Sequence, residues 1–257
     1  MATLRAILFD VDDTLYSTTA FAALARRRAV EAMVAQGLDL PFEEVTRELY
    51  EVIGEFTSNY SHHFDKLLLR LPRESWAGIN RAILIAAGIT AYHATKSELQ
   101  AFPDVLPFMA RVKAHTDLRL GIVTHGLEMK QAEKLLLLGV LPYIDRGAIF
   151  ISDQVGISKP NPKLYTKALD DLGLAPEETM YVGDNPAHDI DPPNGLGMIT
   201  VRMRRENRYT EVESLTRADY DIGSLSELVP ALESDFGLEL GPEAPRADAP
   251  ADEGAGA

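Results

Sequence analysis

The chain has 257 residues, no cysteine and a formal net charge of −14. That length suits one large α/β domain or a core with a smaller inserted module. The absence of thiols excludes disulfides, zinc–thiolate sites and cysteine nucleophiles. So acidic a chain is a poor partner for a nucleic-acid polymer, which is bound through basic patches. No apolar run approaches the ~20 residues of a membrane-spanning helix, and no basic region leads into an apolar stretch at the N-terminus. A soluble, cytoplasmic protein with no membrane partner is therefore expected.

Taken in chain order, the first element is the apolar run Ala6-Ile7-Leu8-Phe9, too short for a helix and followed at once by Asp10, Asp12 and Asp13. This pattern predicts a buried strand that delivers acids to its own C-terminal tip. Alternation along an extended chain turns Asp10 and Asp12 the same way. They would repel each other unless a cation lies beside them or one holds a proton. A metal-assisted nucleophile and its acid/base partner need such a pair, although an Asp-rich turn would look the same from these residues alone.

After Tyr16 the pattern becomes helical. Ser17, Thr18 and Thr19 offer N-cap oxygens for a helix over residues 21–34 that Gly37 closes. A second helix starts near Pro41, with apolar residues at helical spacing over 42–53, and further helices are predicted over 61–71 and 76–87. Residues 17–99 contain no predicted strand and read as an inserted α-helical module.

From Pro103 helices and strands alternate. A helix over 105–113 precedes a strand over 118–124 that ends at Thr124 and His125. A helix over 127–138 stops at Gly139, and a strand over 148–151 leads to a loop with Ser158, Lys159 and Pro160. Asn161-Pro162 opens a helix to Leu172, residues 179–183 form a strand ending at Asp184, and strands follow over 198–201 and 220–222. Such alternation predicts a parallel sheet flanked by helices, with ligands bound at the C-terminal strand ends. Asp10, Asp12, Thr124, Lys159 and Asp184 would converge there. Residues 241–257, rich in Pro, Ala, Gly and acids, read as a disordered acidic tail.

Asp10-Val11-Asp12-Asp13-Thr14-Leu15, then Thr124, then Lys159-Pro160, then Gly183-Asp184 with Asp189, resemble in this order the four motifs of the haloacid dehalogenase (HAD) superfamily of phosphohydrolases. The resemblance implies a Rossmann-like HAD core over 1–16 and 100–240, with a C1-type helical cap over 17–99 that closes and excludes water during the first step. It implies that Asp10 attacks phosphorus to give an aspartyl-phosphate, and that Asp12 protonates the leaving oxygen and later takes a proton from water. Thr124, the backbone N–H of His125 and Lys159 would hold the phosphoryl oxygens. Mg2+ would be bound by the Asp10 carboxylate, the Asp12 backbone carbonyl and Asp184, with Asp189 as support or ligand. The expected reaction is hydrolysis of a small phosphorylated metabolite. A sugar phosphomutase would use the same residues, and a non-catalytic phospholigand-binding protein would be expected to lack some of them. A 2-haloacid dehalogenase is disfavoured because those relatives lack an acid at the Asp12 position.

Two positions depart from the family pattern. His125 stands where Asn is more usual, and Asp191-Pro192-Pro193 replaces a Gly-Ala pair, so the prolines are expected to delay or break the following helix and weaken the support of Asp189. Ser58, Asn59, Tyr60, His62 and His63 form the polar and titratable cluster of the cap, either substrate contacts or an exposed helix start. Arg202, Arg204 and Arg205 are expected to form a solvated basic edge.

Overall fold

The computed structural model describes residues 3–57 and 60–241, so the predicted tail beyond Gly241 lies outside the described residues. Two compact units emerge, one built from the chain up to Ser17 and from Gln100 on, the other from Thr18–Leu99.

The first unit is organised by a parallel sheet of six strands in the order β3-β2-β1-β4-β5-β6. These are β1 (Ala6–Phe9), β2 (Arg119–Thr124), β3 (Ile149–Ile151), β4 (Thr179–Gly183), β5 (Ile199–Met203) and β6 (Tyr220–Ile222). All four residues of β1 are fully buried, as an apolar run covered on both faces requires. β1 pairs with β2 through Phe9 and Ile122 and with β4 through Phe9 and Val182. The winding direction reverses between β1 and β4, and the crevice beyond that switch point is where such sheets bind ligands. Asp10 and Asp184 are the residues that leave those two strands.

The second unit holds α1 (Thr18–Ala35), α2 (Phe42–Phe56), α3 (His63–Arg70) and α4 (Arg81–Ala94). Met33, Leu49, Leu67 and Leu84 meet in its own apolar core. Val45, Leu49 and Val52, spaced four and three apart, are the buried stripe of α2. The predicted helix over 76–87 is shifted. A short 3-10 turn covers Arg73–Trp76, Gly78 takes a left-handed φ of 78°, and the Asn80 side chain then caps α4 by accepting from the Ala82 N–H. An Asx cap outranks the earlier apolar residues as a start signal.

The first unit also carries α5 (Val105–His115), α6 (Glu128–Leu137), α7 (Ser152–Val155), α8 (Lys163–Leu172), α9 (Asp191–Leu196) and α10 (Val229–Ser234). Leu164, Tyr165 and Ala168 of α8 pack with Leu8, Val123 and Tyr181 of the sheet. No helix among the described residues is long and apolar enough to cross a membrane.

Candidate active site

Lys159 is the centre of the strand-tip cluster. It follows α7, whose C-terminus turns on Gly156 in the left-handed conformation, and it is only 5% exposed. Its Nζ donates to Asp10 Oδ1 at 2.8 Å, to Asp189 Oδ1 at 2.8 Å and to the Tyr181 hydroxyl at 2.6 Å. Three acceptors satisfy the three donors of an ammonium. Tyr181 donates its own O–H to the Val123 carbonyl at 2.8 Å and is held edge-on by Tyr165, ring centroids 5.0 Å apart. A lysine read from sequence as a loop residue is thus buried among acids.

Asp189 reaches this cluster through a π-helical turn over Pro186–Ile190, a rare geometry that recurs at functional sites. Its Oδ2 accepts from the Asn185 N–H at 3.0 Å. The expected weakening of this segment does not occur. α9 begins at Asp191, so Pro192 and Pro193 occupy its first turn, where the missing N–H groups have no intrahelical partner to lose. Asp189 is 1% exposed. It also lies so close to Gly183 that a Cβ there would overlap the Asp189 side chain. A Gly183→Ala variant is therefore expected to displace Asp189, with a loss of about 1–3 kcal/mol in stability and about 10²-fold in kcat/KM, measurable by thermal melting and phosphate release.

The acids of the cluster could hold a cation. Asp10, Asp184 and Asp189 are all buried and can each present an oxygen within 4.8 Å of the others. Burial, followed by the neighbouring carboxylates, pushes Asp10 up to about 7 despite Lys159, and Asp184 up to about 9. Lys159 is held well above its ordinary value, the acids outweighing its burial. Three carboxylates form the hard oxygen set that a divalent ion such as Mg2+ accepts. Asn207, from the loop after β5, orients Asp184 by donating to its Oδ2 at 3.0 Å.

Asp12 faces other partners. Its Oδ1 accepts from Tyr16 at 2.6 Å and from Lys134 at 2.5 Å, while its Oδ2 accepts from Gln131 Nε2 at 2.9 Å. Burial acts to raise this carboxyl, but Lys134 and the hydrogen bonds outweigh it and hold it below the usual range. Gln131 Nε2 also donates to the His125 carbonyl at 2.7 Å. His125 itself is exposed, its Nδ1 2.6 Å from the Ser158 hydroxyl. Thr124 is fully buried at the end of β2, and its hydroxyl has no hydrogen-bond partner among the described residues. An orphaned buried hydroxyl is costly unless a ligand receives it. Asp13, the third acid, is buried with a left-handed φ of 55° in the turn that follows β1, a conformation Asp tolerates better than most residues.

Arg202 within β5 and Arg205 after it differ from expectation. Arg202 is 2% exposed, and its guanidinium donates to the carbonyls of Tyr209 and Val212. Arg204 forms two hydrogen bonds with Asp221, and Arg205 pairs with Asp104 at 2.7 Å while stacking 3.9 Å over Phe102. They brace the 204–212 loop that carries Asn207, and of the three only Arg204 is exposed to solvent as expected. In the helical unit Tyr60 stacks on Phe56, His63 Nε2 lies 2.7 Å from the Thr57 carbonyl and His62 lies 3.5 Å from Asp65. Ser58 and Asn59 lie outside the described residues.

Residues 4–197 match the haloacid dehalogenase-like hydrolase family. A glyceraldehyde 3-phosphate phosphatase of Methanopyrus kandleri is 43% identical over 85% of this chain and 91% of its own length. A glyceraldehyde 3-phosphate phosphatase of Methanocaldococcus jannaschii is 40% identical over 88% of this chain and 96% of its own. Among solved structures, a HAD phosphatase from Thermococcus onnurineus superposes with a TM-score of 0.63 at 27% identity, covering 89% of this chain and 98% of its own.

Proposed function

The chain belongs to the haloacid dehalogenase-like hydrolases and is a phosphatase of a small phosphomonoester, and from that premise we propose that its substrate is glyceraldehyde 3-phosphate or a similar three-carbon phosphate. The observation that carries the chemistry is the buried triad of Asp10, Lys159 and Asp189 beside Asp184. Lys159 holds Asp10 by one oxygen and leaves the other to attack phosphorus. As the Asp10 oxygen–phosphorus bond forms, the bond to the leaving oxygen breaks and Asp12, charged in the free protein but protonated with an anionic phosphate beside it, gives that oxygen its proton. Water then attacks the same phosphorus, its proton passes to Asp12, and the bond to Asp10 breaks to release inorganic phosphate. Two displacements replace one difficult step, and the proton transfers are worth about 10²–10⁴ in rate. The orphaned Thr124 hydroxyl and the loop of His125 are suited to bind phosphoryl oxygens.

Mg2+ fits the donor set of Asp10, Asp184 and Asp189, with the Asp12 carbonyl as a further oxygen, and when bound it would neutralise charge on the transferring group. With no metal, carboxyls whose folded values are raised to about 7 and about 9 take up protons on folding. Their contribution to stability therefore falls as the pH rises from about 4 through those values. Mg2+ competes with the same protons, so its stabilising shift in Tm is expected to be larger near pH 8.5 than near pH 5. An Asp184→Asn variant should lose most of that shift.

The reading is tested by phosphate release from a panel of phosphorylated sugars, three-carbon acids and nucleotides with Mg2+. Glyceraldehyde 3-phosphate should give the highest kcat/KM. A nucleotide or hexose phosphate preferred by more than about tenfold, or ~1.4 kcal/mol of transition-state binding, overturns the substrate assignment.

A further inference from the structure

Lys134 has no part in the steps above, yet its Nζ lies 2.5 Å from Asp12 Oδ1 and 5.6 Å from the centroid of the Tyr16 ring. The ammonium is thus gripped by a carboxylate and an aromatic face, with only 22% of the lysine side chain exposed. Gln131 lies three residues earlier on α6, on the same face of the helix, and is 3% exposed. Its Nε2 spans Asp12 Oδ2 and the carbonyl of His125. One helix face therefore fixes both the carboxylate that follows β1 and the loop that follows β2. Gly126 makes room for this, since a Cβ there would lie 2.6 Å from the Gln131 amide nitrogen.

Taking the phosphatase reading as the premise, we propose that Lys134 is the positioning residue of the acid/base step. With Tyr16 it pins Oδ1 of Asp12, so that Oδ2, whose two lone-pair sites accommodate the Gln131 N–H as well as a proton, is the oxygen that gives its proton to the leaving alkoxide and takes one from the attacking water. The carbonyl oxygen of a carboxylic acid still accepts hydrogen bonds, so Lys134 and Tyr16 keep Oδ1 in either protonation state. The carboxyl group then needs no rotation between the two half-reactions. Within the phosphorylation step, the Asp12 Oδ2–H bond breaks and the proton joins the leaving oxygen as its bond to phosphorus is lost.

A salt bridge that only tied α6 to the β1 tip would be indifferent to the leaving group, whereas a device that aims an acid is not. The test compares kcat/KM with Mg2+ for an alkyl ester, glyceraldehyde 3-phosphate, and an aryl ester, p-nitrophenyl phosphate, whose weakly basic leaving oxygen needs little protonation. Lys134→Met should lose about 10²-fold on the alkyl ester and less than about tenfold on the aryl ester. The ratio of the two, taken on one preparation, does not depend on the fraction folded. Because the chain has no cysteine, a Lys134→Cys variant can be aminoethylated at that position alone. Restoring an ammonium there should recover most of the alkyl-ester rate. Equal losses on both esters, no loss, or no recovery after aminoethylation overturns the assignment. If the wild type hydrolyses neither ester, the phosphatase reading fails and this inference fails with it.

Discussion

An Asp10→Asn variant is expected to lose about 10⁴-fold or more in phosphate release while melting, without Mg2+ near pH 8, no lower than the wild type. The two halves of this result have separate causes. An amide oxygen carries no negative charge with which to attack phosphorus, so the first bond cannot form. The stability follows from the site's electrostatics. Burial and the neighbouring acids raise Asp10 to about 7, so its charge near pH 8 works against the folded state, and the neutral amide removes that charge. Lys159 keeps Asp189 as an ionic partner at 2.8 Å. Melting curves and a phosphate assay on one preparation check both halves. Loss of activity together with collapse of stability would mean that Asp10 serves the fold.

Lys159→Met is expected to act in the opposite sense on stability. Lys159 is buried and shared by Asp10 and Asp189, so its removal leaves two buried carboxylates without their ammonium. Breaking a buried pair in this way costs about 3 kcal/mol or more. The loss should be largest at neutral to alkaline pH without metal, and smaller near pH 5, where protonation relieves the acids. Mg2+ should recover part of it by supplying positive charge to the same carboxylates. Activity should nonetheless fall about 10²–10³-fold at saturating Mg2+, because a preorganised donor at the developing charge is lost. Denaturant titrations at two pH values, with and without Mg2+, separate these contributions.

The parallel sheet and the meeting of Asp10 and Asp184 at its strand tips were legible because each of these acids ends an apolar run, where burial alone would forbid it. The inserted helices were legible by periodicity. Other features depend on tertiary placement that a local pattern does not carry. Tyr181 reads as one more aromatic in a strand, and only the fold shows that its hydroxyl meets Lys159. Gln131 and Lys134 read as the polar face of an amphipathic helix, and Asn207 as an ordinary loop residue, until α6 and the loop after β5 are folded over the site. Arg202 was misread because a charge at a strand's end is usually solvated. Here the 204–212 loop returns carbonyls to it. Pro192 and Pro193 were misread because a helix-breaking residue is harmless in a first turn, and the π turn that begins the helix at Asp191 has no signature in the sequence.

The claim on which the mechanism rests is that phosphorus is carried by Asp10. Wild-type protein mixed with Mg2+ and substrate, quenched in acid during turnover and analysed by peptide mass spectrometry, should carry one phosphoryl group on the peptide from the β1 tip, localised by fragmentation to Asp10 and absent from Asp10→Asn. An unmodified peptide during active turnover, or a phosphoryl group on any other residue, would contradict it.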